Sequence, residues 1–183
     1  MQPSSKHFSF VAILGATNAG KSTLVNRLVG QKVSIVSPKV QTTRSRIRGL
    51  VNEGETQLAL VDTPGIFAPH RRLDRAMVAS AWTEADDSDK CLLVLDAKKG
   101  ITEEEEKIIQ KLQKSKTKFI VAVNKIDMVK PEKMAVLLEK LNGIKEAESI
   151  FCISALNGEN VKELKEYLIK SAPKGEWMFP DGL

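Results

Sequence analysis

Short apolar runs alternate with segments of helical spacing along most of the 183-residue chain. Apolar runs bounded by turn residues predict buried β-strands, whereas apolar residues three or four positions apart predict helices with one buried face. The predicted strands cover residues 8–14, 47–52, 57–61, 90–96, 118–124 and 149–154. The predicted helices cover residues 21–30, 73–84, a segment that begins after Thr102, 131–141 and 160–170.

The order of these elements predicts the fold class. Residues 47–52 and 57–61 flank the turn sequence Glu53-Gly54-Glu55, so they are expected to pair as an antiparallel hairpin. The remaining strands are joined through helices, which predicts parallel pairing with right-handed crossovers. We therefore expect a three-layer α/β/α sandwich around a mostly parallel, six-stranded sheet with one antiparallel edge strand. Ligands of such sheets bind beyond the carboxyl ends of the strands.

The periodic pattern ends near residue 172. Residues 173–180 contain two prolines and a glycine and show no periodicity. We therefore expect one domain over residues 1–172, followed by a tail or the start of a linker over residues 173–183.

The composition, with 42% apolar and 28% charged residues, is that of a folded globular domain. No apolar run approaches the roughly 20 residues of a membrane-spanning helix, and residues 1–7 lack the apolar core of a signal peptide. We therefore expect a cytoplasmic protein in which Cys91 and Cys152, both within apolar runs, are buried thiols. An aromatic content of 5% disfavours a surface on which single-stranded nucleic acid stacks.

The net charge of +5 is concentrated in one segment. Between Lys32 and Arg75, eight basic residues stand against four acidic ones and carry four of the five net charges. This segment is either an ordinary solvated surface or faces an anionic partner such as RNA. The acidic run at residues 103–106 follows Thr102 and is typical of the first turn of a helix, so we interpret it as structural and not as a metal site.

Residues 15–22 match the phosphate-loop pattern GxxxxGK[ST] between a predicted strand and a predicted helix, the context that supports such a match. Polyphosphate binding needs inward-facing backbone N–H groups, and Gly15 and Gly20 permit the tight backbone that turns them inward. Lys21 is expected to bridge the terminal phosphates, and the Ser22 hydroxyl is expected to bind Mg²⁺. The residues assigned to nucleotide binding here are Gly15, Ala16, Thr17, Asn18, Ala19, Gly20, Lys21, Ser22 and Thr23.

The predicted strand 57–61 is followed by Asp62, Thr63, Pro64, Gly65 and Ile66. Asp62 is placed to hold Mg²⁺ through water, and the Gly65 amide can approach a γ-phosphate because no side chain blocks it. Taken alone, this sequence is also that of an ordinary turn.

A further Mg²⁺ ligand is expected from a threonine between the first helix and the strand 47–52. We assign Thr43 to this role, with Thr42 as the alternative. Such a residue closes on the nucleotide only when the γ-phosphate and the metal are present, which makes its loop a switch.

The predicted strand 118–124 ends in Asn124, followed by Lys125, Ile126 and Asp127. The Asp127 carboxylate can accept hydrogen bonds from both N1–H and the 2-amino group of guanine. Adenine offers neither donor, and a mismatch that leaves buried polar groups unpaired discriminates by about 10⁴–10⁵. We expect Asn124 to act on the base and the loop, and the Lys125 stem to cover the purine ring. Alone, these four residues are also compatible with a strand-to-helix loop.

The last predicted strand ends in Ser154, Ala155 and Leu156, where the Ala155 amide is expected to reach the guanine oxygen. Together, in this order and at strand ends, these sequences indicate a GTP-binding protein. Their combination resembles the Era family of translation-factor-related GTPases. The segments that carry the resemblance are residues 15–23 (GATNAGKST), 41–44 (QTTR), 62–66 (DTPGI), 124–127 (NKID) and 154–156 (SAL).

The resemblance covers nearly the whole chain, and the QTTR segment is its most specific part. It implies a GTPase that acts in late assembly of the small ribosomal subunit, with a family tendency toward peripheral association with the inner membrane. It also implies a C-terminal KH domain that binds small-subunit ribosomal RNA. No GXXG-type RNA loop is visible here, so we expect either an isolated GTPase domain, which we favour, or a short form of the family. We expect a monomer.

The catalytic residues are assigned as Lys21, Thr43, Gly65 and Asn18. Ras-type enzymes orient the attacking water with a glutamine after the glycine equivalent to Gly65, but here that position is Ile66. Hydrolysis is therefore expected to rest on positioning and electrostatics and to be slow without a partner. The resemblance implies that Asn18 helps to hold a potassium ion against the phosphates; otherwise Asn18 only favours the backbone of the loop.

Four other residues are weaker candidates. We interpret Arg44 and Arg71 as solvated residues of the switch segments and not as internal arginine fingers. His7 and His70 show no spacing typical of a metal site or a catalytic triad.

Two rival functions remain open. One is a nucleotide-dependent binding module with negligible intrinsic hydrolysis, which Ile66 permits. The other is an ATP-dependent kinase or ATPase with the same phosphate loop, against which Asp127 argues.

Overall fold

The computed structural model describes residues 5–16, 18–29, 46–62 and 90–179. Six strands form one sheet in the order β2-β3-β1-β4-β5-β6. They are β1 (His7–Leu14), β2 (Arg46–Glu53), β3 (Thr56–Asp62), β4 (Lys90–Asp96), β5 (Phe119–Asn124) and β6 (Ala147–Cys152). Neighbouring strands run parallel except β2 and β3, which form the predicted hairpin. The helices of these residues are α1 (Lys21–Val29), α2 (Glu103–Lys114), α3 (Pro131–Asn142) and α4 (Val161–Lys170).

Apolar side chains are buried on both faces of the sheet. One face is covered by α1 and α4, through Leu24, Leu28, Leu164 and Leu168. The other is covered by α2 and α3, through Ile109, Leu112, Leu137 and Leu141. The central strands are buried from both sides, which explains why their sequences are continuous apolar runs without alternation. The predicted three-layer α/β/α sandwich with one antiparallel edge strand is confirmed. Among the described residues, no helix combines the length and apolarity needed to cross a membrane.

Several boundaries differ from the prediction. β6 begins and ends two residues earlier than predicted, because the amide of Ser154 pairs with the carbonyl of Glu159 in its own loop and not with β5. As an edge strand, β6 is only partly buried, so its apolar pattern marks its ends poorly. α4 begins at Val161 because Asn160 adopts the left-handed conformation with φ of 62°. The predicted helix at residues 73–84 lies outside the described residues.

The segment after α4 packs against the amino-terminal end of the sheet. Lys174 forms a bridge with His7, and Phe8 N–H donates to Pro173 O at 3.1 Å. Farther along, the buried Gln57 side chain donates to Phe179 O at 2.7 Å and accepts from Phe179 N–H at 3.1 Å. The residues that the sequence assigned to a tail therefore make ordered contacts with β1 and β3.

The two cysteines of the chain are not joined by a disulfide. Cys91 is buried in β4, as predicted, whereas Cys152 at the end of the edge strand is only half-buried. Burial raises the pKa of the Cys152 thiol, which keeps the thiol protonated and poorly reactive near neutral pH.

Candidate functional site

The phosphate loop (residues 15–23) joins the carboxyl end of β1 to α1. Gly15 and Gly20 have φ of 147° and 103°, values that only glycine adopts readily. Space imposes the same requirement. A Cβ on Gly15 would lie 2.6 Å from the carbonyl oxygen of Val94, and one on Gly20 would lie 2.1 Å from the side-chain nitrogen Nδ2 of Asn124. Both glycines are thus required by the close approach of β4 and β5.

Three polar side chains at the start of α1 are the phosphate and metal candidates. The Lys21 ammonium donates to the carbonyl oxygen of Gly15 at 2.8 Å and therefore lies folded over the loop. Ser22 and Thr23 are exposed on the first turn. The Ser22 hydroxyl oxygen accepts a hydrogen bond of 2.7 Å from the Arg48 guanidinium on β2. An arginine thus contacts the hydroxyl that the sequence assigned to Mg²⁺.

Asn124 joins three loops through one side-chain amide, and it is only 3% exposed. Its amide NH₂ donates to the carbonyl oxygen of Ala19 in the phosphate loop at 3.0 Å. Its oxygen accepts from the Ala155 and Lys125 amides, each at 2.9 Å. The side chain therefore holds the phosphate loop, the base loop (residues 124–127) and the serine loop (residues 154–159) together. Of the two roles expected for it, the structure shows the role on the loops.

The Ala155 amide has a different partner from the one that the sequence suggested. We expected this N–H to reach the guanine oxygen, but it donates to Asn124. Ser154, which is 1% exposed, shapes the same loop by accepting from the Asn157 amide at 3.2 Å. Leu156 is 73% exposed at the rim.

Lys125 links the base loop to the phosphate loop. It adopts the left-handed conformation, with φ of 69°. Its ammonium donates to Asp96 at 2.9 Å and to the carbonyl oxygen of Asn18 at 3.1 Å. Asn18, itself left-handed with φ of 68°, is exposed. In this arrangement the Lys125 stem spans the two loops.

Asp96, at the end of β4, is a site residue that sequence reasoning missed. It is 3% exposed and accepts from the amides of Lys98 and Lys99 as well as from Lys125. Burial raises the pKa of Asp96, but these donors outweigh it, so the pKa lies below its usual value and the carboxylate is charged. Its position at the carboxyl end of a buried parallel strand was the signal that could have identified it.

Asp127 lies in a short 3₁₀ turn, Ile126–Met128, and is exposed. The amide of the half-buried Ile126 donates to the carbonyl oxygen of Ile153 at 3.3 Å, which fixes the turn beside the serine loop. The exposed carboxylate is thus available to a ligand at this edge.

The rest of the predicted site is described only in part. Asp62 is the last residue of β3, which pairs with β1, and only its backbone is among the described parts of the chain. Also outside the described residues are Thr17, Thr42, Thr43, Arg44, Thr63, Pro64, Gly65, Ile66, His70 and Arg71. His7, a weak candidate, contacts the carbonyl oxygen of Ala172 at 2.9 Å, away from this edge. Within the described ranges, no group of three or more His, Cys, Asp and Glu residues is placed to hold a metal.

Residues 10–125 match the model of the family described as 50S ribosome-binding GTPase. The chain belongs to this family. It is also 51% identical over 172 residues to GTPase Era of Brucella melitensis, an alignment that covers 94% of this chain and 55% of that protein. The chain thus spans about half the length of the curated relatives it matches.

Solved structures of Era have the same fold. One, a crystal structure of Era in complex with MgGDPNP and nucleotides 1506–1542 of 16S ribosomal RNA, is 39% identical with a TM-score of 0.72. Another, an Aquifex aeolicus Era variant bound to GDP.AlF4-, is 39% identical with a TM-score of 0.71. Each alignment covers 97% of this chain and 61% of the solved chain. The resemblance that the sequence segments suggested is confirmed.

Proposed function

We propose that this chain is the guanine-nucleotide-binding part of an Era-like switch protein, which binds GTP and hydrolyses it to GDP and phosphate. The observation that carries the proposal is the Asn124 side chain, which joins the phosphate, base and serine loops at one edge of the sheet. The exposed Asp127 carboxylate lies at that edge, where it can accept from guanine. Membership of a GTPase family and the identity to GTPase Era support the proposal.

Mg²⁺ fits the proposed site and would neutralise charge that develops on the phosphate oxygens during transfer. Ser22, Thr43 and Asp62 would hold it. The Ser22 hydroxyl suits this role because it is exposed on the first turn of α1, beside the phosphate loop. The Arg48 guanidinium must leave that hydroxyl before the oxygen is free to bind an ion. The MgGDPNP in a solved Era structure supports this assignment.

The protein's own contribution is to bind and orient the phosphates. Lys21 exchanges its bond with the Gly15 carbonyl for one with the terminal phosphates, and the Gly65 amide and Thr43 approach the γ-phosphate. Ile66 has no group that orients water, so unaided turnover is slow. Asn18 is proposed to hold K⁺ because it is exposed and its carbonyl already accepts from Lys125, which leaves the side-chain oxygen for the ion.

GTP turnover by this chain, in KCl and in NaCl at matched ionic strength, tests the proposal. We expect slow hydrolysis in sodium and faster hydrolysis in potassium, with none above background for Lys21→Ala. Equal rates in the two salts remove the potassium site and leave the GTPase assignment intact. Tight GTP binding without single-turnover hydrolysis, with or without ribosomal subunits, favours the binding-module alternative instead.

The proposed partner is the small ribosomal subunit and its RNA. The Era complex that contains 16S ribosomal RNA supports this choice. The description of the wider family instead names the 50S subunit. Co-sedimentation of a full-length relative with separated subunits in GTP and in GDP distinguishes the two. Binding to the large subunit alone contradicts the proposed partner.

The remaining proposals follow from the resemblance. We propose a cytoplasmic monomer with peripheral contact to the inner membrane. Light scattering of the purified protein and fractionation of cells that express it test the two parts separately. A dimer in solution, or a protein that never sediments with membranes, contradicts the corresponding part.

A further inference from the structure

Arg27 contacts the serine loop through backbone atoms that Asn124 does not bind. It lies in the last turn of α1, and its Nε donates to the carbonyl oxygen of Ala155 at 2.9 Å. Its Nη2 donates to the carbonyl oxygen of Leu156 at 2.5 Å. One planar guanidinium thus holds two successive peptides that lie 128 and 129 positions later in the chain. A basic residue that served only the α1 dipole would contact the last carbonyls of its own helix.

Gly158 leaves space for the Arg27 guanidinium beside the backbone of the loop. A Cβ on Gly158 would lie 3.1 Å from a terminal nitrogen of Arg27, tighter than ordinary packing allows. Gly158 also has φ of 85°. The loop is therefore shaped so that the guanidinium lies against its backbone.

The contacts of Asn124 and Arg27 with Ala155 leave the Leu156 backbone amide for a ligand. The Ala155 N–H is taken by Asn124, and the Ala155 C=O is taken by Arg27. In a trans peptide the N–H of the next residue points away from that C=O, so the Leu156 N–H faces away from Arg27. Among the described residues it has no hydrogen-bond acceptor. A charged donor on the carbonyl also polarises the peptide and strengthens its N–H as a donor.

We infer that Arg27 is a positioning residue for base recognition, which sets the Leu156 N–H as the donor to the oxygen at C6 of guanine. The inference rests on the guanine-nucleotide site proposed above and assigns a specificity role to a helix residue outside its loops. Arg27 as a whole is exposed, so the expected contribution is that of a single solvated hydrogen bond.

The test compares GDP with 6-thio-GDP, in which sulfur, a weak acceptor, replaces the oxygen at C6. The analogue retains the N1–H and 2-amino group that Asp127 would read. Arg27→Met keeps an unbranched apolar stem and removes the donors. We expect it to weaken GDP binding about fivefold and 6-thio-GDP binding little, since one hydrogen bond is worth about 1 kcal/mol. Arg27→Lys restores part of the preference, and the matched control Lys170→Met, in the last turn of α4, changes neither affinity.

Equal losses for both nucleotides in Arg27→Met overturn the inference, because a merely structural role does not depend on the atom at C6. Failure of the parent chain to bind either nucleotide instead contradicts the proposed function. The amide resonance of Leu156 in the parent chain gives a measurement that needs no variant. We expect a larger downfield proton shift with GDP than with 6-thio-GDP, and an equal response to the two overturns the inference.

Discussion

Individual side chains at this site mainly form hydrogen bonds with the backbone of neighbouring loops. The side-chain amide of Asn124 forms hydrogen bonds with three backbone groups. Asn124 is only 3% exposed, so water cannot replace it as their partner. A buried peptide group without a partner costs about 1–3 kcal/mol, so this one side chain stabilises the whole edge of the sheet.

We predict that Asn124→Ala lowers the free energy of unfolding by about 2–3 kcal/mol, because the Ala155 N–H and the Ala19 C=O lose a buried partner. Urea denaturation measures the change. The control is Asn142→Ala at the exposed end of α3, which should change stability by less than about 0.5 kcal/mol. Equal stability of the two variants contradicts the clamping role.

At Asp127, the prediction concerns which base is bound. Asp127→Asn should weaken GDP binding and favour xanthosine diphosphate, because an amide can donate to the carbonyl that xanthine carries at position 2. Competition between the two nucleotides measures the change, and the exposed Glu132→Gln in α3 is the control. An unchanged preference for guanine means that Asp127 does not read the base.

At the level of elements, the Lys125 ammonium links the loops and residues at the ends of β1, β4 and β5. The Asp96 carboxylate at the end of β4 holds Lys125 after β5, and the same ammonium reaches the phosphate loop after β1 at Asn18. Because the Asp96 pKa is below its ordinary 3.8, this contact stabilises the fold above that pH and is lost as the pH falls through the folded value.

Asp96→Asn tests this link between elements. Near neutral pH the substitution should lower stability by about 2 kcal/mol, because it removes a charge-assisted hydrogen bond. The deficit should shrink as the pH falls below 3.8 and vanish below the lower pKa of the folded state, where the parent carboxyl is also uncharged. Urea midpoints across pH measure it, with the exposed Glu139→Gln in α3 as control. A deficit that stays constant with pH contradicts the assigned charge.

At the scale of the molecule, the loops proposed to bind the nucleotide and residues 172–179 lie at opposite ends of the sheet. The phosphate, base and serine loops follow the carboxyl ends of the strands, whereas residues 172–179 pack beside the start of β1 and β3. Gln57, fully buried, is one of several polar links to residues 172–179, since it both donates to and accepts from Phe179.

Gln57→Ala should therefore separate stability from binding. We predict a loss of about 2 kcal/mol in unfolding free energy and faster hydrogen exchange at the Phe179 amide, because two hydrogen bonds to Phe179 and one to Asn52 are removed. Nucleotide affinity should remain unchanged. The control is Gln113→Ala, at an exposed position of α2. A change in nucleotide affinity without loss of stability contradicts this separation.

The sequence by itself determined the strands, their mostly parallel pairing and the loops in which the proposed site lies, because apolar runs, turn residues and glycines act locally. The order of the strands in the sheet came from the structure. It identified Gly15 and Gly20 as special, although only the packing of β4 and β5 shows which atoms exclude a side chain there. Boundaries failed at β6, where partial burial at a sheet edge weakens the apolar pattern.

The tertiary structure alone decided how the loop residues are connected. The contacts of Asp96, Arg27 and the Ala155 amide join residues that lie from 29 to 129 positions apart. No local pattern encodes such contacts, because they arise only when the sheet brings its strand ends together. Where that edge is buried, as at Asn124 and Asp96, polar groups pair with one another because water cannot reach them.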